Sequence, residues 1–136
     1  MKPWLVDTGP MVALLKQDDP HHDWATEQAR HAPASVSTCE AVVTEVLFLL
    51  KRDGRDGGGL FELLDAGLVQ CEFDLRAQRN PVRELMHRYR GQPMSFADAC
   101  LVRMAELTSE ASIWTLDKDF HNYRKHGRQT LSLVMP

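Results

Sequence analysis

The chain is poor in cysteine, has no long apolar run and carries no strong excess of either charge. Its three cysteines, Cys39, Cys71 and Cys100, stand about 30 residues apart. That spacing offers no disulfide framework, no CxxC pair and no zinc-knuckle pattern. It reads as three small buried apolar residues. No apolar stretch approaches the ~20 residues needed to span a bilayer. No charged n-region followed by an apolar h-region opens the chain, so no signal peptide is expected and the expectation is a cytoplasmic protein. The glycine-rich stretch from Asp53 to Gly59 reads as a flexible loop. It is not a phosphate-binding loop, because no Gly-Lys-Ser/Thr follows. No GxSxG or Cys/His pattern supports nucleophilic catalysis. The six histidines lack HExxH spacing and cysteine partners for zinc. The balance of 16 Lys+Arg against 19 Asp+Glu gives a formal net charge of −3. At first sight that argues against a nucleic-acid partner, which favours a basic surface.

What remains is an ordinary globular composition, 43% apolar and 26% charged over 136 residues. That length fits one domain over residues 1–136, able to bury roughly 68% of the surface its unfolded chain exposes. Short apolar strands alternate with helical stretches. Strands are expected at Trp4–Val6, Ala34–Ser37, Leu68–Phe73, Ile113–Leu116 and Thr130–Met135. Helices are expected from Pro10 to Gln17, from an Asp19-Pro20 cap to His31, and over Cys39–Arg52, Leu60–Ala66, Arg76–Arg90 and Ser95–Leu107. Apolar strands alternating with helices predict an α/β fold, a three-layer α/β/α sandwich around a parallel sheet. Ligands of such folds bind at the carboxyl ends of the strands, where the strand order reverses. Met11, Leu14, Leu15 and Trp24, on the first two helices, read as core, with a groove for a partner helix as the alternative.

The informative residues are acids. Asp7 directly follows the first strand, and Asp98 completes a Ser95-Phe96-Ala97-Asp98 capping box. Asp117 and Asp119 follow the fourth strand. Each alone reads as a cap or turn. Glu45 differs. On a wheel of roughly 100° per residue, the apolar arc of its helix centres near Val42, Val46 and Leu50. Glu45 lies on the border of that arc, whereas Glu40 faces solvent. A carboxylate buried without a partner is costly. In a doubly wound fold Asp7, Glu45, Asp98 and Asp117 converge on one edge. Two such charges at ~4 Å repel by roughly 4 kcal/mol at an effective dielectric of 20. Oxygen-only ligands select hard cations such as Mg²⁺ or Mn²⁺, which suits metal-assisted phosphodiester hydrolysis. Without these four acids and Asp119, 14 acids face 16 basic residues. The weak acidity is then the mark of a metal-ligand set. Lys118, Arg124, Lys125 and Arg128, with Arg88 and Arg90, are the basic residues expected near that edge, and His121 and His126 the nearest histidines.

At these residues the sequence resembles a PIN domain, and in particular the VapC-type toxin ribonucleases. The matching pieces are Val6-Asp7-Thr8, the Thr38–Glu45 stretch, Ser95-Phe96-Ala97-Asp98-Ala99 and Thr115-Leu116-Asp117-Lys118-Asp119-Phe120, followed by the tail from Tyr123 to Pro136. The four pieces in order, at this length, are more specific than any one alone. The resemblance implies Mg²⁺- or Mn²⁺-dependent cleavage of RNA. It implies metal ligation by Asp7, Asp98 and Asp117, with Glu45 positioning metal or water. Asp119 would serve a second metal or the outer shell, and Thr115 would supply a hydroxyl within the site. It further implies a small antitoxin protein as partner, one that blocks the site and wraps an apolar groove, and it allows a homodimer. Three other classes compete: a signalling receiver domain, a non-catalytic binding module keeping its acids as caps, and a DNA nuclease on a related fold. The receiver would need paired acids after the first strand and a Lys after the fifth, and neither is present.

Overall fold

The computed structural model describes all residues 1–136. The strands are β1 (Trp4–Val6), β2 (Val36–Thr38), β3 (Val69–Cys71), β4 (Ser112–Trp114), β5 (Arg124–Lys125), β6 (Gln129–Thr130) and β7 (Ser132–Val134). The helices are α1 (Thr8–Leu15), α2 (His22–His31), α3 (Glu40–Arg52), α4 (Gly58–Asp65), α5 (Leu75–Arg88) and α6 (Phe96–Leu107). Five strands form one parallel sheet in the order β3-β2-β1-β4-β7. The chain runs outward from β1 through β2 to β3, then returns to the other side of β1 for β4 and β7. The strand order therefore reverses between β1 and β4, the position at which such sheets open a crevice. The expected α/β sandwich is the observed fold.

The central strands are buried on both faces: Leu5, Val6, Ile113 and Trp114 are each at most 2% exposed. The edge strands β3 and β7 are only partly covered, which is why they carry Gln70 and Ser132. Each strand of the sheet has three residues, shorter than the apolar runs suggest. Pairing continues past the strand ends through single bonds, such as Val36 N–H to the Leu68 carbonyl at 3.0 Å. Packed on the sheet, α1, α3 and α6 contribute Met11, Val42, Val46, Leu50 and Leu101 to the core. Cys39, at the start of α3, and Cys100, on α6, are both buried free thiols. Cys71 is only half-buried.

Four expectations about the elements are corrected. Helix α1 begins at Thr8, because Asp7 caps it, and Pro10 falls within its first turn. Asp19-Pro20 does not start α2. The Asp19 carboxylate accepts from His21 N–H at 2.8 Å and its carbonyl from His22 N–H at 3.0 Å, so Pro20 occupies the second position of a β-turn. The run from Thr130 to Met135 is not one strand. Gln129–Thr130 pairs antiparallel with Arg124–Lys125, and only Ser132–Val134 joins the main sheet. The loop between α3 and α4 is tied at its start and its middle: Lys16 pairs with Asp53 at 3.2 Å, and Arg55 with Asp18 at 2.6 Å. Met11 is core as expected, whereas Leu14, Leu15 and Trp24 are half-buried against it. The most exposed aromatic side chains stand on the next two helices, Phe48 on α3 and Phe61 on α4.

Candidate active site

Asp7 enters the site because β1 ends there. Its N–H donates to the Trp114 carbonyl at 2.9 Å, the last rung between β1 and β4. Its Oδ1 accepts from Thr8 N–H at 2.7 Å, capping α1. Its Oδ2 accepts from the Thr115 hydroxyl, also at 2.7 Å. Thr115 follows β4 and is completely buried, and its Oγ1 also accepts from Asp117 N–H at 2.9 Å. One hydroxyl thus fixes the relative positions of the acids that follow β1 and β4. Burial pushes the Asp7 carboxyl up to about 6. The Thr115 and Thr8 bonds work against that rise, while the charges of Asp98 and Asp117 add to it.

Asp98 is held by the expected capping box. Ser95 N–H donates to its Oδ2, and its own N–H donates to the Ser95 hydroxyl, both at 3.0 Å. The side chain is 7% exposed. Burial raises its pKa, the Ser95 N–H opposes that, and the charges of Asp117 and Glu45 raise it again. Asp117 caps the 3₁₀ turn Lys118–His121, its Oδ1 accepting from Asp119 N–H at 2.9 Å. Glu45 is half-buried on α3, and its Oε2 accepts from the Thr8 hydroxyl at 2.8 Å. Glu40 is exposed, as the helical wheel indicates.

Asp7, Glu45, Asp98 and Asp117 line one open pocket of about 420 Å³, together with Thr8, Ser95 and Pro93. No Lys, Arg or His lines it. Thr115 stands behind Asp7. Asp119 lies outside the lining, and burial and the neighbouring Asp117 charge raise its pKa. No three acidic, His or Cys side chains stand close enough to grip one ion as they are placed. Each acid that lines the pocket has at least one oxygen turned onto a neighbouring N–H or hydroxyl. The donor set itself fits a hard divalent cation, because every donor is oxygen, no basic side chain lines the pocket, and neighbouring carboxylates add to the raised pKa of Asp7 and Asp98.

Two features of the site lie beyond the sequence expectations. Thr8 serves both sides of the pocket, its N–H on Asp7 and its hydroxyl on Glu45. Tyr123 is fully buried with an unpartnered hydroxyl. Burial raises its pKa, and the charges of Asp98, Asp119 and Asp117 raise it further. Only the position of Thr8 after Asp7 could have pointed to it, and nothing in sequence marks Tyr123. The basic residues expected at this edge are not in the pocket. The Arg124 guanidinium donates to the carbonyls of His121 and Tyr123 at 2.8 and 3.1 Å. Arg88 and His126 line a separate pocket.

A match to the PIN domain family model spans residues 4–126, which includes every acid of the pocket. The chain belongs to the PIN domain family. Among solved structures, this PIN domain is similar to the Mycobacterium tuberculosis toxin VapC20, described as cleaving the Sarcin-Ricin loop. The TM-score is 0.76 at 21% sequence identity, covering 85% of this chain and 91% of that one. No curated protein matches the sequence. No helix of this PIN domain is long and apolar enough to cross a membrane.

Proposed function

We propose that the chain is a Mg²⁺- or Mn²⁺-dependent endoribonuclease, a single nuclease domain over residues 1–136 that hydrolyses RNA phosphodiester bonds. The observation that carries this reading is the pocket of four carboxylates, without a cation, at the switch point of a parallel sheet. Family membership and the fold shared with a toxin described as cleaving the Sarcin-Ricin loop support it. Asp7, Asp98 and Asp117 would hold the metal. Bound there, it would activate water and neutralise charge on the phosphate. Thr115 keeps Asp7 oriented, and Thr8 holds Glu45 toward the same space to position metal or water. Asp119 lies next to Asp117, where it would act in the outer shell or at a second ion. The deciding experiment is cleavage of an RNA panel with Mn²⁺, with and without EDTA, beside folded Asp98→Asn. Cleavage that survives EDTA or Asp98→Asn would sink the reading, and a matched DNA panel tests the DNA-nuclease alternative.

We further propose that the cellular role is that of a toxin held in check by a small antitoxin protein. The exposed Phe48 and Phe61 on α3 and α4 are apolar side chains of the kind that a partner covers. Growth arrest on expression of the wild type, absent with Asp98→Asn, is the expected outcome. A chain that cleaves RNA in vitro and leaves growth unaffected would be a processing nuclease instead.

A further inference from the structure

An acidic pocket on a chain of net charge −3 repels the polyanion it is proposed to cut, so grip on the substrate must come from elsewhere. Helix α5 carries a row of exposed basic side chains. Its buried side is Val82 and Leu85. At roughly 100° per residue, Arg76, Arg79, Arg83 and His87 fall within an arc of about 80° on the other side. All four are exposed. They follow one another at close to one per turn, a rise of about 5.4 Å each. Arg90 stands just past the end of the helix, and Pro93 and Ser95, three and five residues further on, line the acidic pocket. None of the molecule's seven ion pairs involves Arg76, Arg79, Arg83 or Arg90. Arg90 donates to the His87 carbonyl at 2.8 Å at the end of α5, whereas Arg76, Arg79 and Arg83 have no carboxylate partner.

We propose that this stripe on α5 is the track for the RNA backbone, contacting phosphates that flank the scissile one and leading the strand to the acids. The inference rests on the nuclease reading for its substrate. An acidic protein segment is the less favoured occupant. A helix docked there would need apolar anchors along the contact line, whereas the contact line carries cations at each turn. Phosphate contacts of this kind set affinity and register without reading sequence.

The test is binding of a fluorescent single-stranded RNA to the full chain in EDTA, where cleavage is off, over a range of KCl concentrations. The triple variant Arg76→Gln/Arg79→Gln/Arg83→Gln should lose about tenfold or more in affinity. Its salt dependence should flatten by about 2 in log–log slope, from ~0.7 per phosphate contact on single strands. The matched control Lys2→Gln/Arg30→Gln/Arg52→Gln removes the same charge elsewhere and should cost less than about twofold, because long-range charge is screened beyond ~10 Å. Lys at the three α5 positions should restore most of the binding. With Mn²⁺, the triple Gln variant should show a raised KM with little change in kcat. Equal losses in the α5 variant and the control would overturn the track, as would RNA displaced by poly-glutamate of equal charge. A wild type that binds RNA through α5 and cuts nothing would instead defeat the nuclease reading and leave the track standing.

Discussion

Two polar pockets of this molecule hold acids at similar depth and treat them in opposite ways. In the smaller, about 230 Å³ between α5, α6 and the β5–β6 hairpin, each buried charge has a counterpart. Glu106, its side chain 8% exposed, accepts from Arg103 at 3.2 Å and from His126 N–H at 2.6 Å, and Arg103 in turn reaches Gln78 at 2.8 Å. His126 and Gly127 have φ of 54° and 75°, the two left-handed positions of a tight hairpin turn. Glu106 fastens that turn to α6. In the larger pocket, four carboxylates face one another with hydroxyls and N–H groups as their only partners. A compensated cluster stabilises a fold. An uncompensated one destabilises it, and is understandable where a ligand brings the missing charge.

The sharpest way to break this contrast is to neutralise one acid in each pocket. Asp98→Asn should cut RNA cleavage by about 10²-fold or more if, as proposed, Asp98 helps hold a water-activating metal. It should leave the far-ultraviolet circular dichroism unchanged. Glu106→Gln should leave cleavage within about twofold. If both variants lose activity equally, the two pockets are not separable in function.

A second effect, about 3 kcal/mol, concerns stability against pH. The folded Asp7 carboxyl titrates near 6 against 3.8 for an ordinary aspartate. Between those values the folded state binds more protons than the unfolded one, so the contribution of Asp7 to stability falls as pH rises. The full penalty is present above about pH 6 and absent below about 3.8. In EDTA, the stability of Asp7→Asn relative to wild type should therefore rise by about 2.5 kcal/mol between pH 4 and pH 7.5, since a small part of the penalty is already present at pH 4. Whatever the Asn amide loses at Thr115 or Thr8 is the same at both pH values and cancels. Urea denaturation at the two pH values reads the difference, and a pH-independent gap would mean that Asp7 is not held in a desolvated, like-charged setting. Saturating Mn²⁺ at pH 7.5 should reduce the gap, because binding to the native wild type alone stabilises it.

Truncating Glu106 to Ala should cost about 2 kcal/mol, since a buried pair loses a partner and His126 N–H is left without its acceptor. Urea denaturation again measures it, and folded Glu106→Ala should still cleave. A loss below about 0.5 kcal/mol would show that the hairpin does not depend on this fastening.

The two pockets also differ in how visible they are in sequence. The acidic pocket is legible because each acid is placed by local structure: Asp7 ends a strand and caps a helix, Asp98 closes a capping box, and Asp117 opens a turn. The alternation of strand and helix then brings those ends to one edge. The Glu106 pocket is invisible, because it joins residues of α5, α6 and a hairpin of which only Thr130 falls within an expected strand. Leu131 stands between Gln129–Thr130 and Ser132–Val134, and nothing local says that the two halves pair with different partners. The start of α2 fails for a similar reason, since Asp-Pro is as good a β-turn as a helix cap. None of the basic residues expected near that edge lines the pocket itself. Only on α5, where the helical repeat is regular, do Arg76, Arg79 and Arg83 line up from sequence alone.

The smallest effect tests whether the acids keep their place as caps as well as ligands. Ser95 supplies two bonds to the Asp98 capping box, one from its backbone and one through its hydroxyl. Ser95→Ala removes only the second and should cost about 1 kcal/mol of stability. The Asp98 carboxylate keeps its bond from the backbone N–H of residue 95, so cleavage should fall by only a few-fold. A drop in activity comparable to that of Asp98→Asn, with stability unchanged, would mean that the Ser95 hydroxyl acts within the pocket itself. Ser95 would then join the acids as a participant, and the division between the residues that hold the pocket and those that work in it would have to be redrawn at that position.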